Sequence, residues 1–257
     1  MSELKGKLIL ITGSTKGIGK AIAEAFIDRQ ARVVVHGRDH DEVKQICESI
    51  CAYSSVNGDL GTTEGCAAVI AQLNSLGPVE ILVNNAGIFG AQDFFQIDDE
   101  EWLRYFQVNV MSAVRLCRAL LPAMLESNWG RVINVASEAA IKPLPQMIQY
   151  SVTKTALVSL ARGMAELTKG SNVTVNSVLP GPTWTTGVED YFDGLAHDTG
   201  KPTTELIENY FVEHEPTSLI QRFIDVGEVA QAVVFLATNS AVNGSAQRVE
   251  GGIVRSI

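Results

Sequence analysis

Short aliphatic runs alternate with longer amphipathic stretches along almost the whole chain. Six runs predict buried strands, at 8–12, 32–36, 81–84, 131–136, 173–179 and 246–249. The stretches between them have helical spacing at 17–29, 39–50, 62–76, 98–126, 150–168 and 226–238, with Asp98 as the predicted N-cap of the fourth. Near-continuous apolar strands separated by helices are typical of a parallel sheet covered on both faces. We therefore predict a doubly wound α/β fold of about seven strands, with a ligand bound beyond the carboxyl ends of the strands.

The length and composition fit a single domain over residues 1–257. Hydrophobic residues make up 46% of the chain and charged residues 19%, which excludes a disordered protein. The formal charge of −9 argues against nucleic acid or an anionic membrane as a partner. No apolar run reaches the roughly 18 residues of a membrane-spanning helix, and the N-terminus lacks an apolar signal region.

The cysteines and histidines predict neither a disulfide framework nor a metal site. The four cysteines lack C-x-x-C spacing and stand at positions 47, 51, 66 and 117. The four histidines, at 36, 40, 197 and 214, have no metal-ligand spacing. A reducing cytoplasm is therefore the expected location.

The segment 183–222 departs from the alternation of strands and helices. It has weak periodicity, two prolines, and eight acidic residues against two basic ones, Lys201 and Arg222. Because it lies between a strand and the last helix, we expect it to hang over the carboxyl edge of the sheet. It is either a solvated acidic insertion or a substrate lid with short helices, and its position favours the lid.

A glycine-rich turn follows the first strand and opens the first helix. Gly13 permits a sharp exit from the strand, while Gly17 and Gly19 leave room for a diphosphate close to the backbone. Free N–H groups and the helix dipole favour an anion there. The spacing is G-x-x-x-G-x-G, and its place between the first strand and the first helix predicts a dinucleotide site. The predicted contacts are Gly13, Ser14, Thr15, Lys16, Gly17, Ile18 and Gly19.

The end of the second strand bears on the choice of cofactor. A site for NAD usually has a carboxylate there for the ribose 2′-hydroxyl, whereas this strand ends in His36-Gly37-Arg38. Arg38 and Lys16 are able to pair with a 2′-phosphate, or they are simply exposed loop residues. We predict a preference for NADP(H), with NAD(H) possible.

Tyr150 and Lys154 are four residues apart and so share one face of a helix. A phenol has a pKa near 10, and an ammonium about 4 Å away would favour the phenolate. Such a tyrosine is suited to acid–base catalysis. Ser137, at the end of the preceding strand, is able to hold a carbonyl oxygen. A Tyr-x-x-x-Lys pair alone is common on helix surfaces, so its weight comes from Ser137 and from the glycine turn.

Together these motifs resemble the single-domain branch of the short-chain dehydrogenases/reductases over essentially the whole chain. The matching elements, in family order, are Thr12 to Gly19, Asn84-Asn85-Ala86-Gly87, Ser137, Tyr150-x-x-x-Lys154 and Pro180-Gly181. The resemblance implies a Rossmann fold and an enzyme that interconverts a carbonyl and an alcohol with a nicotinamide cofactor.

The resemblance also implies a role for each matching residue. Tyr150 would be the general acid in reduction and the base in oxidation. Lys154 would lower the pKa of Tyr150 and bind the nicotinamide ribose, and Ser137 would polarise the substrate carbonyl. Asn109 would hold a water in the proton relay. Further cofactor contacts would be Asp59, Leu60, Asn85, Ala86, Gly87, Pro180, Gly181, Thr183 and Thr185.

Several of these residues have a structural alternative. Asn109 is equally suited to satisfying backbone groups in a kinked helix. The asparagines at 84–85 suit a turn, and residues 180–181 suit the end of a strand. Asp59 is able to cap the helix that begins near Thr62.

The substrate pocket is expected between the loop after Ser137 and the lid. Its candidate contacts are Glu138, Gln146, Met147 and Trp184. Glu138 departs from the small or neutral residue common in the family, and it either recognises a polar substrate or pairs with Lys142. The predicted substrate is a small-molecule carbonyl or alcohol.

Two alternative functions remain at the level of sequence. One is reduction of a 3-oxoacyl group on acyl carrier protein, which the acidic lid disfavours because that carrier is itself acidic. The other is a non-catalytic NADP(H)-binding regulator, which the joint presence of Ser137, Tyr150 and Lys154 disfavours.

The resemblance further implies a homotetramer or homodimer through the 98–126 and 150–168 helices and the C-terminal strand. The tail 251–257 is apolar enough for such an interface or for packing on its own domain.

Overall fold

A sheet of seven parallel strands lies at the centre of the computed structural model, which describes residues 3–256. In chain order its strands are β1 (Leu8–Ile11), β2 (Arg32–Gly37), β3 (Ser54–Asn57), β4 (Ile81–Asn84), β5 (Gly130–Val135), β6 (Val173–Pro180) and β9 (Ala246–Val249). Two short strands between β6 and β9, β7 (Thr183–Trp184) and β8 (Ile224–Asp225), pair with each other in a separate sheet. The order in the large sheet is β3-β2-β1-β4-β5-β6-β9. The chain reverses direction across the sheet between β1 and β4, which opens a crevice at their carboxyl ends. The predicted doubly wound fold is confirmed.

Helices cover both faces of this sheet. They are α1 (Gly17–Ile27), α2 (His40–Ser49), α3 (Thr63–Leu73), α4 (Asp99–Phe106), α5 (Ser112–Glu126), α6 (Ile148–Leu167), α7 (Thr186–Thr199), α8 (Thr203–Glu213) and α9 (Val226–Thr238). Successive strand residues point to opposite faces. Accordingly Ile9 packs in one layer with Phe26 of α1, while Leu10 packs in the other with Leu116 of α5.

Strand β3 is the strand that the apolar pattern missed. It pairs with β2 at the edge of the sheet, with Val34 opposite Ser54. Only Val56 of its four residues is buried, so there is no alternation to detect. Edge strands are held by backbone pairing on one side and tolerate polar residues.

The predicted 98–126 helix is interrupted by a π-helical turn. Asp98 caps α4 by accepting a hydrogen bond from the Glu101 N–H at 2.8 Å, as predicted. Residues Gln107–Met111 then form the π-helical turn that joins α4 to α5. The continuous stretch Asp99–Glu126 is long and apolar enough to cross a membrane by length and composition alone, contrary to the sequence estimate. Here its apolar side, which includes Leu116 and Met124, packs in the core.

The segment 183–222 contains β7 and two helices, α7 and α8. Its aromatic side chains pack on one another: the Trp184 ring stacks on Phe192 with centroids 6.0 Å apart, and Tyr210 stacks on Phe223 at 5.1 Å. We use "lid" for residues 183–222. Its strand β7 pairs with β8, which follows the lid, so the two ends of the lid lie close together.

The C-terminal tail packs at least partly on its own domain. Ile253 is buried, and its carbonyl accepts a hydrogen bond from the Thr217 hydroxyl at 2.9 Å. Ile257, the last residue of the predicted tail, lies outside the described residues.

Candidate active site

The glycine turn brings the backbone of β1 close to the loop after β4. A β-carbon on Gly13 would lie 3.0 Å from the Ala86 Cα, and one on Gly19 would overlap the Gly13 carbonyl and the Asn85 side chain. Gly13 and Gly17 have positive φ values of 61° and 55°, which glycine adopts at little cost. The turn therefore needs glycine at these positions for its own shape, and its backbone is left open to a ligand.

The first turn of α1 is available to an anion. Its N-cap residue, Lys16, makes no side-chain capping hydrogen bond within residues 3–256, and the first turn contains no acidic residue. By contrast, Asp39, Thr62 and Asp98 cap α2, α3 and α4. Helix N-termini without a side-chain cap present free N–H groups and a positive partial charge. Ser14, Thr15 and Ile18 complete this turn, and Ser14 ties it to β2, since its hydroxyl accepts from the His36 N–H at 2.9 Å.

Asn85, which follows β4, holds the glycine turn in place through hydrogen bonds. The Asn85 amide donates to the carbonyl oxygens of Thr12 and Gly13 at 2.9 and 2.8 Å. The Thr12 hydroxyl in turn accepts from the N–H groups of Asn85 and Ala86. Asn84 points the other way and donates to Asn134. Asn85 therefore links two loops of the crevice and is more than a turn former.

His36 is a site residue that the sequence analysis did not assign. Its ring Nδ1 accepts the Gly13 N–H at 3.1 Å, and Nε2 lies 3.1 Å from the Gly58 carbonyl. Burial lowers the pKa of His36 to about 4, so the ring is neutral, with the Nε2 proton directed at Gly58. The imidazole thus joins the end of β2 to the loops after β1 and β3. A signal for it lay in the sequence, because a lone histidine ends an otherwise apolar strand.

Two cations border the crevice where a 2′-phosphate was predicted. Lys16 and Arg38 are both exposed or at the rim, and neither takes part in an ion pair among residues 3–256. Asp39, the next acid along the chain, caps α2 through Oδ1, which accepts from the Glu42 N–H at 2.8 Å.

The Asp59-Leu60 pair lies at the carboxyl side of β3. Asp59 is exposed and accepts the Gly61 N–H at 2.9 Å, while Leu60 is buried in the core. The suggestion that Asp59 caps the next helix is wrong, because Thr62 caps α3 by accepting from Gly65.

The predicted catalytic residues meet at the carboxyl end of β5. Ser137 directly follows this strand, and Tyr150 and Lys154 lie on α6 beside it. The Lys154 ammonium donates to the Val135 carbonyl at 2.9 Å and lies 5.4 Å from the centre of the Tyr150 ring. Ser137 lies close enough to Tyr150 to lower the pKa of its phenol. The crevice is narrow here, since a β-carbon on Gly87 would lie 3.5 Å from Lys154 Nζ.

The pKa of Tyr150 is shifted in the direction opposite to the expected one. Burial raises it first and the Glu138 carboxylate raises it further, while the hydrogen bond with Ser137 opposes the rise. Burial also lowers the pKa of Lys154 to about 8, so its side chain loses its positive charge as the pH rises above that value. The sequence estimate counted the lysine charge and left out the desolvation of the phenol and the nearby acid.

Asn109 lies in the π-helical turn with its side chain fully engaged. Its Oδ1 accepts the Ile88 N–H at 2.7 Å, and its Nδ2 donates to the Ile88 carbonyl and to the Thr153 hydroxyl, both at 3.0 Å. Asn109 Oδ1 also lies 3.2 Å from a β-carbon position on Gly87. The asparagine therefore fixes the loop after β4 against α6, which agrees with its structural alternative.

Glu138 does not pair with Lys142. Its carboxylate Oε2 accepts the Ser137 hydroxyl at 2.6 Å, and the side chain is buried. Lys142 instead forms an ion pair with Glu215 at the end of α8. Burial raises the pKa of Glu138, and the nearby Glu215 charge raises it further.

The start of the lid lies over the glycine turn. Pro180 ends β6, and the Gly181 N–H donates to the Val249 carbonyl of β9 at 2.9 Å. The Thr183 hydroxyl donates to the Gly181 carbonyl, and Thr185 caps α7. A β-carbon on Gly17 would lie 3.5 Å from Thr185 Cγ2, so the lid touches the start of α1.

The remaining substrate candidates, Gln146, Met147 and Trp184, differ in how exposed they are. Gln146 is exposed, and its carbonyl accepts the Gln92 N–H at 2.9 Å. Met147 precedes α6 and accepts from the Ser151 hydroxyl through its carbonyl. Trp184 is half-buried in the aromatic packing of the lid.

The residues along the crevice are of the kinds that a dinucleotide site uses. One end has a helix start without a side-chain cap, glycines with no room for side chains, and the cations Lys16 and Arg38, which form no ion pair with residues 3–256. The serine, tyrosine and lysine lie at the other. A hydroxyl donor, a titratable phenol and an ammonium within one buried centre are suited to moving a proton to or from a substrate oxygen.

Comparisons with known proteins agree with this geometry. The family model described as short chain dehydrogenase matches residues 7–195. The uncharacterized oxidoreductase YvrD of Bacillus subtilis (strain 168) is 56% identical over 99% of both chains. The 3-oxoacyl-[acyl-carrier-protein] reductase FabG of Haemophilus influenzae is 30% identical over 98% of this chain and 100% of its own.

Among solved structures, L-sorbose reductase from Gluconobacter frateurii, complexed with NADPH and L-sorbose, is 33% identical. It covers 100% of this chain and 99% of its own, with a TM-score of 0.92. The family match spans more than half of the chain, and the fold and the order of the motifs agree with it. The chain therefore belongs to the short-chain dehydrogenase family and is an oxidoreductase.

Proposed function

We propose that this enzyme interconverts a carbonyl and a secondary alcohol on a small molecule with NADP(H), using Tyr150 as the general acid and base. The observation that carries the proposal is the meeting of Ser137, Tyr150 and Lys154 at the carboxyl end of β5, at the inner end of a crevice suited to a dinucleotide. The cofactor, when bound, would supply or accept the hydride.

The chain's own residues divide the remaining work. The Ser137 hydroxyl holds the substrate oxygen next to Tyr150, which orients the reacting carbon. Tyr150 gives its proton to that oxygen during reduction and takes it back during oxidation. Lys154, fixed by Val135, places a positive charge beside the phenol and favours the phenolate. Asn109 positions the loop after β4 against α6.

The preference for NADP(H) is supported by the exposed cations Lys16 and Arg38, which form no ion pair within the described part of the chain. Arginine pairs well with a phosphate, and no acid in this strand end is free for a ribose hydroxyl, since Asp39 caps α2. The structure of L-sorbose reductase was solved with NADPH, which is consistent with this preference.

Reduction of 3-oxoacyl groups on acyl carrier protein is the second candidate. The similarity to FabG of Haemophilus influenzae favours it. The acidic lid opposes it, because an acidic carrier would approach eight carboxylates and two cations in 183–222. A small-molecule substrate, like the sugar bound to L-sorbose reductase, does not meet that repulsion.

The function is tested by following the loss of NADPH absorbance with small ketones, aldehydes and an acetoacetyl thioester. We expect turnover of small carbonyls with NADPH, strongly reduced by Tyr150→Phe and unaffected by Tyr53→Phe, a matched change at an exposed tyrosine. Turnover restricted to the thioester would favour the carrier-dependent alternative. NADPH binding without turnover of any carbonyl would favour a non-catalytic regulator and contradict the proposal.

We also propose that the enzyme is a cytoplasmic homotetramer or homodimer. Support comes from the exposed apolar side chains Leu103 and Val152 on α4 and α6, two of the helices that the family resemblance assigns to an interface. Light scattering of the purified protein tests the assembly, and a monomer at micromolar concentration would contradict it.

A further inference from the structure

A buried carboxyl group lies directly behind the Ser137 hydroxyl. The hydroxyl donates to Glu138 Oε2 at 2.6 Å, and Glu138 is only 6% exposed. A short 3-10 turn, Glu138–Ala140, holds the side chain in this position. Acidic side chains this deep normally have a cation or several donors beside them.

The two cations near Glu138 form their hydrogen bonds with other groups, although the Glu138 charge acts on Lys154 and raises its pKa. Lys142 pairs with Glu215, and the Lys154 ammonium donates to the Val135 carbonyl at 2.9 Å. Among residues 3–256, Glu138 takes part in no ion pair, and Ser137 is its side-chain donor. The backbone N–H groups of Glu138 and Ala139 also favour its charged form. Its one side-chain hydrogen bond among the described residues therefore uses a hydroxyl proton that the proposed reaction also needs.

Ser137 has a single hydroxyl proton to donate. When that proton turns to a substrate oxygen, Glu138 Oε2 loses its side-chain donor, and the lost hydrogen bond to a buried carboxylate weakens binding. A substrate that carries a hydroxyl group of its own restores the hydrogen bond. Because Ser137 reaches both Glu138 and the substrate oxygen, the restoring hydroxyl has to lie next to that oxygen.

We propose that Glu138 is a specificity-determining residue that accepts a hydrogen bond from a hydroxyl on the carbon adjacent to the reacting carbonyl. The substrates are then α-hydroxy ketones and, in the oxidative direction, vicinal diols. This inference rests on the proposed function. It also disfavours substrates with a carboxylate at this position, because the Glu138 and Glu215 charges would repel it.

The first test uses the wild-type enzyme and two isomeric ketones with NADPH. In 1-hydroxy-2-butanone the hydroxyl lies next to the carbonyl, and in 4-hydroxy-2-butanone it lies one carbon farther away. We expect kcat/KM to be at least about tenfold higher for the adjacent isomer, since a site built to bind a hydroxyl discriminates strongly. Equal values, or a preference for the distant isomer, would overturn the assignment.

The second test changes the acid. Hydroxyacetone and butanone have the same number of heavy atoms and differ by a hydroxyl in place of a methyl group. In Glu138→Leu we expect the preference for hydroxyacetone to fall at least about fivefold while butanone turnover is kept or improved, since no buried acceptor is left without a donor. Glu64→Leu, a change at an exposed acid of α3, is the matched control and should keep the wild-type ratio.

The outcomes separate this inference from the proposed function. NADPH binding and the melting temperature of each variant report whether the fold and the cofactor site are kept. An equal loss of both substrates in a folded, NADPH-binding Glu138→Leu protein would overturn the selective role. If the wild type reduces carbonyls without regard to an adjacent hydroxyl, the proposed function stands and the inference fails. If it reduces none, the proposed function itself fails.

Discussion

Lys142 and Glu215 form an ion pair that joins the loop after β5 to the end of α8, across 73 residues of sequence. The Glu215 side chain is 5% exposed and the Lys142 side chain 33% exposed. One end of the lid is therefore tied to the loop that carries Glu138. Near the other end of the lid, Thr185 touches the glycine turn.

Loss of this ion pair should destabilise the protein. In Lys142→Met the buried Glu215 charge has no partner, and we expect the free energy of unfolding to fall by about 2 kcal/mol. This is less than a fully buried pair would cost, because solvent reaches Lys142. Urea unfolding measures the change. Lys201→Met, which breaks an exposed pair with Glu205, should cost below about 1 kcal/mol, and equal losses in the two variants would contradict the structural reading.

The cofactor preference should depend on Arg38. Replacing Arg38 with Asp puts a negative charge where a 2′-phosphate would bind, so the ratio of kcat/KM with NADPH to that with NADH should fall at least about tenfold, as expected when a charge-assisted hydrogen bond is lost. Steady-state kinetics with both cofactors measure the ratio. Lys169→Asp, at an exposed position after α6, is the charge-matched control. An unchanged ratio in Arg38→Asp would remove this residue from cofactor recognition.

Buried Lys154 should make stability depend on pH in a defined window. Burial lowers its pKa from 10.5 to about 8, so between these values the unfolded chain holds more protons than the folded one. Stability contributed by this group therefore rises with pH across the window, and the buried charge is most costly below about pH 8. Relative to wild type, Lys154→Met should be most favoured below pH 8 and should lose that advantage toward pH 10.5.

The measurement is the difference in unfolding free energy between the two proteins at several pH values. The hydrogen bond to Val135, which the variant lacks, offsets the difference without changing its slope. Lys169→Met, at an exposed lysine, should show no such slope. A flat difference for Lys154→Met would mean that the ammonium is not desolvated.

Local patterns in the sequence were enough to predict the sheet, its flanking helices and the meeting of Ser137 with Tyr150 and Lys154. Apolar strands record burial directly, and residues four apart on a helix share a face whatever the rest of the fold does. Strand β3 was not predicted because it is an edge strand with one buried residue, Val56, and so shows no alternation of apolar and polar residues.

Contacts between distant parts of the chain were not predictable in this way. Lys142 pairs with Glu215 and not with Glu138 because the fold places the end of the lid beside the loop after β5. The hydrogen bonds of His36 with Gly13 and Gly58 require the end of β2 to meet the loops after β1 and β3. The rise in the pKa of Tyr150 depends on burial, which sequence spacing does not report.

The most direct test of the central claim is a single-turnover measurement of NADPH oxidation with the best carbonyl substrate, in wild type and in Tyr150→Phe. Loss of the phenolic proton should slow the step by about 10²–10⁴-fold while the Kd for NADPH stays within about twofold. The same single-turnover rate in both proteins would contradict the claim that Tyr150 transfers the proton.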